Sequence, residues 1–463
     1  MIKPDLTVVL PTELRRVHFV GIGGSGMSGI ARMFAGRGIA VSGSDRSDSA
    51  TTRALRDAGI VVHIGHDAAN LGDAEAVVVT GALWEDNPEY QRALARGIPV
   101  AHRSVALNWL LTGHTVFAVA GAHGKTTTTA MVVTALRESG ADPSFVNGGV
   151  VSGYGVSAAQ GSSSEFVIEA DESDGSFLLY DTAFGIITNI DTDHLDHYGS
   201  QSAVDDAFVS FANSVSHTIA VSSDDAGVAA IVPRITSPMV TFGESATADF
   251  RITDIVSSGE GVTATIHHAG ESHRLELAVA GRHNAINACG AVAVLVASGV
   301  SCAAAVAGLS AFRGTGRRFE LHATIDGVRV FDDYAHHPTE VRAALATARS
   351  VVGDGRVIAI HQPHLYSRTK AMASEFAAEY EAGADFTVVL DVYGAREDPI
   401  EGVTGALVSS AFHDAGKVAY CPDWDDAARV AANHARPGDL IMTLSCGDVY
   451  RIIPQVCTAL ENR

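Results

Sequence analysis

Along the chain, short apolar runs alternate with stretches in which apolar residues recur every three or four positions. Between residues 17 and 111 the apolar runs fall at 17–20, 39–41, 60–63, 76–80 and 98–100, and the helical stretches include 27–35, 51–58 and 89–95. Strand–helix alternation of this kind predicts βαβ units on a parallel sheet. A second block starts at Thr115, with apolar strands over 116–120, 165–168 and 184–190. It then carries three segments of alternating apolar and polar residues, 250–256, 262–267 and 272–279, separated by glycine-containing turns. Alternation with period 2 marks half-buried strands, so these predict an antiparallel insertion ahead of a helix over 283–296. The third block opens near Gly316-Arg317-Arg318-Phe319-Glu320 and returns to the α/β pattern, with strands at 328–331, 357–360, 386–390 and 440–444. Three α/β domains follow, bounded at 1–113, 114–317 and 318–463, and the soft prior of roughly 150 residues per domain agrees. The linkers, 111–115 and 313–320, are short.

Composition narrows the class. Of 463 residues 47% are apolar, which is enough for large cores, yet no apolar stretch reaches transmembrane length. The start of the chain lacks the order of a signal peptide. Five scattered cysteines form no C-x-x-C pair, which predicts reduced thiols in a cytoplasm rather than a disulfide framework or a zinc site. A formal net charge of −21 argues against nucleic acid or an anionic membrane as the main partner. Any anionic ligand must therefore be captured by local positive potential.

One segment offers that potential. Gly121-Ala122-His123-Gly124-Lys125-Thr126, followed by Thr127, lies between an apolar strand and an apolar-periodic helix. Strand, glycine turn, Lys-Thr and helix make a phosphate cradle: backbone N–H groups and the helix N-terminus attract the anion, Lys125 adds a point charge, and the Thr126 hydroxyl can ligate Mg²⁺. The chain has only four lysines, so a chance lysine here is improbable. The loop is a compact G-x-x-G-K-T, since Val119 stands where the longer form needs glycine.

Other clusters follow strands. Gly21-Ile22-Gly23-Gly24-Ser25-Gly26-Met27 satisfies G-x-G-x-x-G, and Asp45 ends the second strand, where dinucleotide folds hold ribose hydroxyls. Alone, that loop reads as an NAD site. Glu169-Ala-Asp171-Glu172-Ser-Asp174 and Asp191-Thr-Asp193-His194-Leu-Asp196-His197 would both end on the ligand-binding edge of a parallel sheet, where carboxylate and imidazole suit a Mg²⁺ shell beside phosphate. Asn284 and Asn287 share a helix face and can read a purine edge. Arg317-Arg318 is either a solvated hinge pair or a clamp for a transferred phosphoryl group. Asp332-Asp333-Tyr334-Ala-His336-His337-Pro338 and His361-Gln-Pro-His364-Leu365-Tyr-Ser-Arg368 fall at further strand ends.

In order, these motifs resemble the Mur ligases of peptidoglycan synthesis, over nearly the whole chain and most closely their alanine-adding branch. The resemblance implies a Rossmann-like N-terminal domain that binds the UDP-sugar, a P-loop ATPase-like central domain with a mixed sheet and antiparallel insertion, and a Rossmann-like C-terminal domain that closes on nucleotide and amino acid. It implies ATP and Mg²⁺, with L-alanine joined to the lactyl carboxylate of UDP-N-acetylmuramate through an acyl phosphate. By resemblance, the Gly21 loop (Gly21, Gly23, Gly24, Ser25, Gly26, Met27) with Asp45 and His66 holds the UDP-sugar. Gly121 to Thr127 holds the ATP phosphates, and Thr126, Glu169 and His194 surround the metal. Asn284 and Asn287 face adenine, Asp333 the ribose and Arg318 the γ-phosphate, while Tyr334, His364 and Arg368 orient alanine. Lys125, Glu169, His194 and Arg318 are the expected catalytic set. For one ATP to meet all of these, the third domain must close on the second.

Two departures stand out. No lysine lies between Lys125 and Lys370, so the carbamylated lysine of several family branches is impossible here. Leu365 replaces a residue that is often basic, which moves the amino-acid carboxylate onto Arg368. Three other readings remain open at this level: a ligase recycling a muropeptide tripeptide, an NAD-dependent oxidoreductase that gives Lys125 no task, and an ATP-binding switch without synthetic activity. Monomer and homodimer are equally open.

Overall fold

The computed structural model describes residue 2 and residues 5–259, 261–395 and 397–463, with the side chains of Ser25, Leu195 and Asp196 outside the description. Its strands form three sheets, giving the expected three-domain α/β architecture. By internal contacts the chain falls into two compact units, residues 1–253, 265–275 and 286–312 in one and residues 254–264, 276–285 and 313–463 in the other.

The first sheet is entirely parallel, in the order Val61–Ile64, Ala40–Asp45, Arg16–Val20, Ala76–Val79, Val100–His102. Ala76–Val79 is buried at every position, as a central strand covered on both faces requires. The second sheet has ten strands. Phe184–Ile187, Thr115–Ala120 and Glu165–Glu169 lie side by side and parallel at its centre, so their C-terminal ends share one edge. The three alternating segments are strands, Phe250–Ser258, Gly261–His268 and Glu271–Leu277, and form one flank of this sheet. A continuous core, including Ile30, Phe34, Val116, Ala158, Phe166, Phe177, Phe208 and Phe211, joins the first two sheets within the first unit.

The helix Lys125–Glu138 shows packing overriding propensity. Its five threonines are poor helix formers, but residues 126–136 are all buried. The Thr128 and Thr134 hydroxyls are satisfied by donating to the carbonyls of Gly124 (2.9 Å) and Ala130 (2.8 Å) one turn back.

The third sheet, within the second unit, runs Glu320–Ile325, Val328–Asp333, Leu440–Leu444, Val357–His361, Phe386–Val389, Val418–Tyr420, and only the first pairing is antiparallel. Several strands escape the sequence pattern, two of them for plain physical reasons. Glu320–Ile325 is an edge strand with four of its six residues exposed, so it has no apolar run to read. Ser144–Val151 carries two glycines and a polar Asn147 inside a strand paired with Val156–Ala159, a composition that reads as a loop. No described helix is long and apolar enough to cross a membrane.

Phe177 anchors the segment after the second sheet's acidic turn, with its ring 5.4 Å from Phe208 and 5.2 Å from Phe211. Phe177→Ala is expected to cost about 3–5 kcal/mol of stability by opening a cavity there, measured as a lowered midpoint in urea unfolding at unchanged slope.

Candidate active site

The Gly121 loop joins a strand to a helix N-terminus through glycine turns, as its sequence predicts. Gly124 caps the helix in the left-handed region (φ +84°), and Gly121 adopts φ +133°. A Cβ on Gly121 would lie 2.1 Å from Thr188 Oγ1, so no other residue fits. The loop is stapled to the segment after Phe184–Ile187: Ala122 N–H donates to Asn189 O (3.1 Å), His123 N–H to Asn189 Oδ1 (2.8 Å), and Thr188 Oγ1 to His123 O (2.6 Å). His123 Nε2 also meets Asp191 Oδ2 at 2.9 Å. The first helical hydrogen bond runs from Thr128 N to Gly124 O, which leaves the N–H groups of residues 125–127 ahead of it for an anion.

Lys125 Nζ folds back on this loop and donates to Gly121 O (2.7 Å), Ala122 O (3.3 Å) and Glu172 Oε1 (2.8 Å). Burial pulls its pKa down, but Glu172, Asp171 and Glu169 outweigh burial and raise it, so the amine is charged. Burial pushes the Glu172 carboxyl up to about 7 against the pull of Lys125. Its second oxygen, Oε2, is buried without a hydrogen-bond partner.

Two of the residues expected around a metal are in contact. Thr126 Oγ1 lies 3.1 Å from Glu169 Oε1, while Glu169 Oε2 accepts from Gly148 N (2.7 Å). His194 instead turns its Nε2 to Glu172 Oε1 and Asp193 Oδ2, both at 3.6 Å, from a backbone at φ +56°. The donor set of hydroxyl, carboxylates and imidazole, with the orphaned Glu172 oxygen among them, fits a hard divalent cation.

At the first sheet, Asp45 Oδ2 accepts from Gly23 N (2.9 Å), and Ser44 O accepts from the N–H groups of Gly21 (2.8 Å) and Ile22 (3.0 Å). Gly24 is the N-cap of the helix Ser25–Gly36, so the loop presents a helix N-terminus as expected. Gly26 and the buried Met27 lie in the first turn of that helix, and the Ser25 side chain lies outside the described residues. His66 follows the strand Val61–Ile64 and reaches Ser44 Oγ at 2.9 Å.

Arg103 joins the two loops in a way that the sequence does not announce. A Cβ on Gly26 would lie 3.2 Å from its Nη1, while its Nη2 contacts Asp171 Oδ2 at 3.2 Å and Asp174 Oδ2 at 3.9 Å. Burial raises the pKa of Asp171, but Lys125 and Arg103 together hold it at about 2.

The second unit resolves the arginine pair. Arg317 is structural: it contacts Asp332 Oδ2 (2.9 Å) and donates to the carbonyls of Gly447 (3.0 Å) and Ser445 (2.8 Å). Arg318 lies over the Tyr334 ring (4.8 Å) and 3.8 Å from Glu340 Oε1. Asp333 accepts from Phe319 N and Ala335 N, each at 2.8 Å, and burial raises it to about 6 against the pull of Arg318. His364 stacks 5.8 Å from Tyr393, and Arg368 follows in the helix Tyr366–Gly383. Leu365, at φ +69°, is buried and so offers no contact to a carboxylate. Asn284 and Asn287 are both buried on the helix Arg282–Ala297; Asn284 Nδ2 donates to Ala280 O (2.7 Å), and the Asn287 amide backs Gly124.

Three family models match in chain order: the Mur ligase family catalytic domain over residues 16–115, the Mur ligase middle domain over 119–295, and the Mur ligase glutamate ligase domain over 317–447. The chain belongs to the Mur ligase family. Among relatives of this Mur ligase, the UDP-N-acetylmuramate–L-alanine ligase of Clavibacter michiganensis is 66% identical over 100% of this chain and 97% of that protein. The enzyme of that name from Paenarthrobacter aurescens is 48% identical over 97% and 98%. The crystal structure of the UDP-N-acetylmuramate-alanine ligase of Thermotoga maritima superposes with a TM-score of 0.82 at 29% identity, covering 97% of this chain and 99% of that one. A murein peptide ligase from Psychrobacter arcticus gives 0.73 at 26% identity over the same shares.

A pH-dependent prediction follows from Arg103. In the folded protein Asp171 is held below its ordinary value, so its contribution to stability is present above about pH 4 and is lost as pH falls toward about 2. Arg103→Met is expected to lower stability at pH 7 by about 1 kcal/mol, discounted for partial exposure. The gap from the parent protein should shrink below about pH 4, as read by urea unfolding across pH.

Proposed function

We propose that this Mur ligase joins L-alanine to the lactyl carboxylate of UDP-N-acetylmuramate, consuming ATP and releasing ADP and phosphate, in cytoplasmic peptidoglycan precursor synthesis. The observation that carries this reading is the 66% identity, across the whole chain, to a UDP-N-acetylmuramate–L-alanine ligase. UDP-sugar binding is assigned to residues 1–113, ATP binding to 114–317, and amino-acid binding and closure to 318–463.

The chemistry follows from the groups present. A carboxylate is a poor electrophile at neutral pH, so it attacks the γ-phosphoryl group of ATP to give an acyl phosphate. The N–H groups of residues 125–127 and the Lys125 ammonium hold the phosphate oxygens, and Lys125 leaves Glu172 to do so. Arg318 adds positive charge to the transferred group. Thr126, Glu169 and His194 would hold Mg²⁺, which when bound would neutralise charge on the phosphate oxygens. Tyr334, His364 and Arg368 orient alanine, whose neutral amine attacks the acyl carbon; a tetrahedral intermediate collapses and phosphate leaves. Asn284 and Asn287 read the adenine edge and Asp333 takes the ribose. In the first domain the Gly21 loop, Asp45 and His66 keep the UDP moiety.

ADP release is expected to require both UDP-N-acetylmuramate and L-alanine when amino acids and peptides are screened. Dependence on a tripeptide instead would select the recycling activity of the murein peptide ligases and overturn the reading. Lys125→Ala is expected to lose about 3–4 kcal/mol of transition-state stabilisation, several hundredfold in kcat, while UDP-sugar affinity by calorimetry stays near that of the parent. Near-parental turnover would remove Lys125 from the mechanism.

A further inference from the structure

Beneath the Gly21 loop lies a carboxylate that the proposed reaction leaves without a task. Glu89, in the first turn of the helix Pro88–Ala95, is fully buried. Its Oε1 accepts from Asn70 Nδ2 (2.6 Å) and the Asp67 N–H (3.3 Å). Its Oε2 accepts from Ser44 Oγ (2.5 Å), with His66 Nδ1 at 3.4 Å and the buried His18 Nε2 at 3.6 Å. Burial raises its pKa, but His18, Ser44 and Asn70 hold it at about 2, so at neutral pH it is ionised and can only accept.

That charge fixes a chain of protons. The single hydroxyl proton of Ser44 must point to Glu89, so Ser44 Oγ can only accept from His66 Nδ1, 2.9 Å away. Nδ1 therefore carries the proton, and Nε2 of the neutral ring is left as a lone-pair acceptor. Nε2 makes no hydrogen bond among the described residues, and the His66 side chain is 19% exposed. The next residue back, Gly65, donates its N–H to Asp45 O (2.8 Å), which places His66 on the strand-end edge that carries Asp45 and the Gly21 loop.

We infer that Glu89, acting through Ser44, is a positioning residue that sets the His66 tautomer, so that Nε2 accepts a hydrogen bond from an N–H or O–H of the uridine nucleotide. This rests on the reading that the UDP-sugar occupies this edge. The device discriminates by donor chemistry: a ligand presenting an acceptor to Nε2 leaves both groups unpaired. It gives Glu89 a role beyond stapling the segment 65–70, and Glu89→Gln separates the two. The Asp67 N–H cannot be inverted, so the Gln carbonyl must face it and the Gln NH₂ must face Ser44. Ser44 then accepts from Gln and donates to His66 Nδ1, and the ring is forced to the Nε2–H form while the staple survives.

The test is two-bond ¹⁵N–¹H spectroscopy of histidine-labelled full-length protein, with UDP as the probe, alongside steady-state kinetics. The parent is expected to show His66 as the Nδ1–H tautomer with its Nε2 resonance moved by UDP; Glu89→Gln should show the Nε2–H tautomer at a near-parental unfolding temperature. The KM for UDP-N-acetylmuramate should rise about tenfold in Glu89→Gln, with kcat and the KM for ATP unchanged. Adding Glu89→Gln to His66→Ala should bring no further loss. Should Glu89→Gln fail to fold, the parent spectrum and Ser44→Ala, expected to raise the same KM, carry the test. An Nε2–H tautomer in the parent, or a parental KM in a folded Glu89→Gln, overturns the inference. If His66→Ala itself leaves the KM unchanged, the UDP-sugar reading of this edge fails instead; a raised KM in His66→Ala with a parental one in Glu89→Gln defeats only the positioning role.

Discussion

The ion pair between Lys125 and Glu172 balances the charge on which the central site depends. Four carboxylates, Glu169, Asp171, Glu172 and Asp174, lie along one acidic turn, and Lys125 and Arg103 are the cations that meet them. Taking one carboxylate out of water without a partner costs several kcal/mol, so a lysine that spends part of its time on phosphate needs something to replace it against Glu172. On the proposed reading, a divalent cation beside Thr126 and Glu169 would be that replacement. On the same reading, phosphate at the helix N-terminus and a cation at the acidic turn would exchange partners with Lys125 and keep the buried charge balanced.

The same logic operates at the first sheet with a different outcome. Glu89 is buried among the donors of Ser44, Asn70 and the Asp67 N–H and has no ammonium or guanidinium partner at hydrogen-bond distance among the described residues. An ionised group held this way does not exchange partners; it orders them. One carboxylate therefore serves as a fixed reference for the protons of Ser44 and His66, whereas Glu172 is paired with the Lys125 ammonium. Arg103 links the two regions, with Gly26 on one side and Asp171 and Asp174 on the other.

Motifs made of glycine turns with charged neighbours were legible because their chemistry is local. Gly121 needs its positive φ whatever packs around it, and Lys125 stands beside it in sequence. Asp45, Asp333 and the helix-starting Pro338 likewise follow from strand ends and caps. The arginine pair 317–318 could not be divided from sequence, since both residues have the same chemistry. Asp332, and the carbonyls of Ser445 and Gly447 more than a hundred residues on, hold Arg317 in place and separate it from Arg318. Glu89 left one trace, a carboxylate four residues before the buried Ala93 on the same helix face, but polar residues on helices are usually solvated and the pattern gave no reason to stop there.

By itself the sequence determined three α/β blocks, two phosphate-type loops and the family to which they point, because strand periodicity, glycine turns and Lys-Thr register are all written within a few consecutive positions. The tertiary structure alone decided which charges are buried and what they face. Lys125 on Glu172, Arg103 between two loops, and Glu89 under His66 each join residues tens of positions apart. Burial, which sets the strength of every one of those contacts, is a property of the packed chain and not of any segment in it.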